Sequence, residues 1–159
     1  MRLTAALLLL SAAAAAQVKA PASFRLELTL RETDDHQEVK DQKFVMLIEN
    51  SGWGRIRAGL RVPFYATKET VQYADIGNNL DCRVVEADVG VKLNCSIEMS
   101  SVVSAETRPV PTTPGMPVIQ SRKTSIECVV PLQHETRISS LEDSVAKRKV
   151  DVLVVVQRL

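Results

Sequence analysis

Three cysteines and two histidines are the residues best suited to chemistry in this chain of 159. Their spacing decides between a cross-link, a metal site and a reaction centre. Cys82 and Cys95 lie on either side of the turn-like stretch Ala87-Asp88-Val89-Gly90. A turn centred between Asp88 and Val89 sets them directly opposite each other on neighbouring strands. Opposed residues of antiparallel strands have Cα atoms about 4.5–5.5 Å apart, within disulfide reach when the pair is the non-hydrogen-bonded kind. The alternative is that both are small core hydrophobes, a common fate of cysteine. Cys128 shares a strand face with Ile126 and Val130 and reads as a buried thiol. The close-spaced cysteine pairs of structural zinc sites are missing, so no metal is expected.

His36 follows Asp34 and Asp35, a trio from which a metal cluster or a hydrolase centre can be drawn. Adjacent side chains in a loop rarely converge on one point, so the segment reads as a solvated polar turn. His134, in Gln133-His134-Glu135, reads as a second turn. No Gly-x-Ser-x-Gly elbow, phosphate-cradling glycine loop or cysteine with a neighbouring base is visible. The expectation is no catalytic residue, no cofactor and no enzyme. Asn94-Cys95-Ser96 has the form of a glycosylation sequon, but a signal this short recurs by chance and no glycan is expected; Lys147-Arg148-Lys149 reads as a solvated turn guarding a strand edge.

The elements that carry these residues repeat with period two, the mark of half-buried strands. Phe24, Leu26, Leu28 and Leu30 alternate with Arg25, Glu27, Thr29 and Arg31. Residues 44–48 are apolar on both faces, which predicts a central strand covered on both sides. Asn50-Ser51-Gly52-Trp53-Gly54 predicts a turn whose glycines take positive backbone angles. Further strands are expected over 55–67, kinked or at an edge because of Gly59 and Pro63, over 70–86 with an interruption at Gly77-Asn78-Asn79, and over 91–101. Others follow at 118–130, 137–141 and 150–156. Residues 102–117, rich in proline and threonine, read as an exposed loop, and a helix is a weak alternative over 141–149. The pattern predicts an all-β fold, a small sandwich or partial barrel of about eight short, mainly antiparallel strands.

The amino terminus supplies the compartment. Arg2 precedes an apolar run that ends in alanines, the order of a secretory signal peptide over residues 1–16. Cleavage after Ala16 leaves residues 17–159 as one domain. The run is shorter than the roughly 20 residues that span a bilayer, and no later stretch approaches that length. The mature chain is thus expected to be exported, periplasmic or extracellular, with no transmembrane segment. Lys and Arg number 20 against 19 Asp and Glu. So balanced a charge has no electrostatic footprint for nucleic acid.

Over 59–124 the order of motifs resembles the core of the bacterial secretin domain, the pore-forming module of type II and type III secretion and type IV pilus systems. The resemblance rests on Gly59-Leu60-Arg61-Val62-Pro63, then Val71-Gln72-Tyr73-Ala74-Asp75-Ile76-Gly77 leading to Leu80. Gly90-Val91-Lys92-Leu93 with Glu98 and Ser100 continues it, and Pro117-Val118-Ile119, Arg122 and Thr124 close it. It covers under half of the chain. The glycine-glycine-leucine segment and long apolar hairpin that build the secretin gate have no counterpart in 132–149, and the preceding ring-building domains are missing. The resemblance therefore implies a secretin-like β-core without a pore. The expected role is a non-enzymatic structural or interaction module of the bacterial envelope, partnered by an envelope protein or by itself. The alternative is a small-ligand-binding sandwich with a pocket near Trp53, Phe64 and Tyr73.

Overall fold

The computed structural model describes residues 22–65, 70–103, 118–143 and 147–159. The expected leader (1–16) and residues 104–117 of the expected loop lie outside them. Eight strands run in order: β1 (Ser23–Thr33), β2 (Val39–Glu49), β3 (Trp53–Tyr65), β4 (Val71–Glu86), β5 (Val91–Val103), β6 (Val118–Val130), β7 (Thr136–Asp143) and β8 (Arg148–Arg158). They form two four-stranded antiparallel sheets, β2-β1-β8-β7 (sheet I) and β3-β4-β5-β6 (sheet II). Among the described residues neither sheet closes into a barrel.

Alternation in the sequence becomes burial in the sandwich. Phe24, Leu26, Leu28 and Leu30 on β1, with Val150, Val152, Val154 and Val156 on β8, form the inner face of sheet I. Leu80, Cys82 and Val84 on β4 and Val91, Leu93, Cys95 and Ile97 on β5 answer from sheet II. Removing such side chains from water stabilises the fold by roughly 1.5–3 kcal/mol each. Polar clamps hold the sheets together at the margins. Arg158 pairs with Glu86, the Glu86 amide donates to Asn50 Oδ1 at 2.8 Å, and Asn78 Nδ2 donates to Gln42 Oε1 at 2.6 Å.

Several expectations need correction. Residues 44–48 do not form a central strand, because β2 is an edge strand with one covered face. Met46 and Ile48 point into the core, while Val45 and Leu47 are 48% and 70% exposed. Neither glycine of the β2–β3 turn takes a positive φ; Ser51 does, at 65°. Gly54 is small for a different reason, since an added Cβ would stand 2.8 Å from the Ile48 side chain and 3.0 Å from the Met46 sulfur. Strand β4 runs through Gly77-Asn78-Asn79 without a break, and its 16 residues make it the longest element described. Residues 141–143 and 148–149 belong to β7 and β8 rather than to a helix, and Val102 and Val103 belong to β5 rather than to a loop.

Candidate interaction surface

The β4–β5 hairpin places the cysteines. Its register pairs Glu86 with Val91 and Cys82 with Cys95 across residues 87–90. Gly90 takes φ 82°, where an added Cβ would meet the Val130 carbonyl oxygen at 2.2 Å. Glycine is therefore required there. Cys82 and Cys95 are fully buried, are joined as a disulfide and have Cα atoms 4.2 Å apart. Cys128 is half-buried on the same inner face, and burial pushes its thiol above the ordinary range. It is a packing residue rather than an activated nucleophile.

The polar trio at Asp34-Asp35-His36 forms a turn capped by its own aspartate. Asp34 Oδ1 accepts from the amides of His36, at 3.0 Å, and Glu38, at 2.9 Å, while His36 projects into solvent. No group of three or more His, Cys, Asp or Glu side chains is arranged to hold a metal among the described residues. Trp53, Phe64 and Tyr73 do not converge. Trp53 starts β3 opposite Arg83, whereas Phe64 and Tyr73 lie at the other end of the β3–β4 pair. Eleven steps of strand separate Trp53 from Phe64, roughly 35 Å at the usual rise.

Surface charge is arranged as pairs. The Arg31 guanidinium donates two 2.9 Å bonds to Asp41, and this holds the Asp41 carboxyl below its ordinary range. Lys92 does the same for Glu127. On the outer face of sheet II, Arg57 forks onto Asp81, and Arg61 sits over the Tyr73 ring, 5.1 Å from its centroid. A shallow groove of about 490 Å³ runs between these arginines, over the backbone at Gly59 and Gly77. Its charged side chains already have partners.

What the arrangement offers is sheet edge. Sheet I ends in β2 and β7, and sheet II ends in β3 and β6. The short links from β2 to β3 and from β6 to β7 put one edge of each sheet on each flank. Strands β3 and β6 each present 13 residues. An edge strand leaves alternate amides and carbonyls free to pair with another chain. Pro63 on β3 and the bulge between Arg137 and Ser139 on β7 are local breaks of the kind that edges tolerate.

No family model and no curated protein sequence matches the chain. Solved structures do. Aeromonas hydrophila ExeD superimposes with a TM-score of 0.58 at 11% identity, over 87% of this chain and 49% of that one. The fold is that of a secretin domain. The type II secretin GspD of enteropathogenic Escherichia coli gives 0.58 at 10% identity, over 87% and 69%. InvG, the secretin of the Salmonella SPI-1 type III injectisome, gives 0.51 at 10%, over 87% and 63%. This chain spans about half the length of ExeD. The secretin-like region therefore extends well beyond 59–124, since both sheets take part in the likeness. The motifs in 59–124 fall on β3 to β6, leaving β1, β2, β7 and β8 to a likeness that alternation alone does not display.

Proposed function

We propose that this chain is an exported, non-enzymatic structural module of the bacterial envelope, working by lateral association of its sheet edges. The observation that carries this reading is a secretin-type sandwich in which, among the described residues, sheet II ends in a 13-residue edge strand on each flank. Two different flanks make a head-to-tail contact, in which β3 of one copy meets β6 of the next, and such contacts build rings or filaments. Solved relatives occur in assemblies: InvG with PrgH and PrgK, and PulD with PulS and PulC. Self-association is the first expectation, and an envelope protein on the same edges is the second.

Export rests on residues 1–16 as a cleaved leader, which leaves 17–159 as the mature domain in the periplasm or outside the cell. The Cys82–Cys95 bond suits that oxidising compartment. A wall in lipid is not part of the proposal. Strand length does not argue against one, because β3 to β6 run 13–16 residues. Charge does: Arg55, Arg57, Arg61, Asp75, Asp81, Lys123 and Glu127 alternate along the outer face of sheet II, where a transmembrane barrel presents an apolar band.

Light scattering after size exclusion of the processed chain, purified from the periplasm, tests this. A defined oligomer, or a stable complex with an envelope protein, is expected. A strict monomer that captures nothing after in-cell crosslinking overturns it.

A further inference from the structure

The β4–β5 ladder ends at Gly77↔Ser100, and beyond it β3 and β4 continue as a two-stranded arm. The outer edges of sheet II still match in length, at 13 residues each, whereas those of sheet I run 11 and 8. Neighbouring strands of sheet II are antiparallel throughout. With four strands, a second copy laid alongside in the same orientation brings its β3 antiparallel to β6 of the first. The even count also allows inner face to meet inner face and open amides to meet open carbonyls. Only the register is left to decide.

Registers that keep the faces matched differ by steps of two residues. Two of them overlap most, 53–64 against 129–118 and 54–65 against 130–119, each twelve pairs long. Outward-facing charge separates them. On this face β3 carries Arg55, Arg57 and Arg61 and no carboxylate, while β6 carries Lys123 and Glu127. The second register sets Arg57 against Glu127 but Arg61 against Lys123, and like charges directly opposed destabilise a strand pair.

The first register sets Arg55 against Glu127 and opposes no like charges. Both side chains are well exposed, and each already has an ion pair within its own copy, Arg55 with Asp81 and Glu127 with Lys92. Brought together, they extend these into one row of alternating sign, Asp81, Arg55, Glu127, Lys92. Apolar groups agree with charge. Trp53 is 53% and Val129 59% exposed, on opposite flanks of the same end of the sheet, and this register covers each with the other. On the inner face it sets Ile56 against Ile126.

We propose that a second copy of this chain docks its β3 on β6 in the register Trp53↔Val129, selected by the Arg55–Glu127 contact. The inference rests on the reading that the sheet edges associate, and adds which residues meet. The row Arg57, Asn79, Glu98, Lys123 then runs into Gly59 of the next copy. Strands therefore step by two residues per copy, a stagger of the kind that a closing sheet requires.

Disulfide trapping reads the register, using the processed chain in a Cys128→Ser background where Cys82 and Cys95 are already bonded. Pro63→Cys with Ile119→Cys places thiols directly opposite each other across the contact, while within one copy they lie on opposite edges of the sheet. Mild copper-catalysed oxidation is expected to give a ladder of multimers on non-reducing gels. Pro63→Cys with Ser121→Cys is one matched step off, with Cα atoms about 7–8 Å apart and past ready bridging, and is expected to trap little. Arg55→Glu and Glu127→Arg, each alone, are expected to cut trapping between 63 and 119 by about fivefold or more. The two together are expected to restore it. Light scattering of the same variants separates the two kinds of failure. A monomer that traps neither pair overturns lateral association and the register with it. A defined oligomer that traps at Ser121→Cys or at neither position overturns the register alone. So does a double charge swap that fails to restore trapping in a protein with an unchanged melting curve.

Discussion

Residues 80–86 and 71–76 belong to one strand, yet they live under different physics. The first stretch alternates Leu80, Cys82 and Val84 into a core closed by sheet I and carries a disulfide to β5. The second has one hydrogen-bonded neighbour strand and no buried side chain. A β-strand is therefore not a unit of stability. Its stability comes from the layer across the sheet and from strands on both sides, and both fall away past Gly77.

The largest consequence lies in amide exchange. Amides of 80–86 that bond within the sheet should open only with the whole domain, while those of 71–76 should open locally. The expected difference in protection is a factor of roughly 10³ or more. Equal protection along β4, read by exchange and mass spectrometry, would erase the contrast.

Side-chain deletion gives the next effect. Leu28→Ala empties a fully buried position and should cost about 2–5 kcal/mol. Leu60→Ala, on the exposed arm, should stay within about 0.5 kcal/mol. Urea denaturation of both variants checks the pair, and a large loss from Leu60→Ala would mean that the arm is covered in solution.

The disulfide sharpens the comparison at a smaller scale. It closes a loop with a sequence separation of 13 in the covered half. Cys82→Ala with Cys95→Ala should lower stability by about 2–3 kcal/mol, without changing exchange at 71–76. A non-reducing intact mass first confirms the bond in the exported protein.

Charge should matter least. The Asp41 and Glu127 carboxyls are held below their ordinary range by Arg31 and Lys92. Their contribution is thus present above the unfolded-state values, near pH 4, and is lost as pH falls through the lowered folded ones. Both pairs are solvent-exposed, so Asp41→Asn and Glu127→Gln should flatten the acid limb of the stability curve only slightly. Molar salt should leave the exchange contrast along β4 intact, and a contrast that vanished in salt would make it electrostatic.

Much of this was legible in the residues. The alternation of β1, the bounds of β6 and the opposition of Cys82 to Cys95 follow from period two and a four-residue turn, because pleat and register are local properties. The motifs from Gly59 to Thr124 carried the secretin-like core. The run at 44–48 misled because apolar letters do not say whether a second layer arrives, and β2 lies at an edge. Gly77 misled in a related way: its conformation was readable as an interruption of β4, whereas the break falls between β4 and β5.

By itself the sequence determined an all-β chain, its hairpin register and the residues fit for a core, since each depends on neighbours along the strand or across one turn. Only the tertiary structure decided which strands are edges, how far sheet I covers sheet II, and where the latter divides. Those depend on which distant segments meet, and Leu60 on an open arm differs from Leu80 in the core only by what lies opposite it.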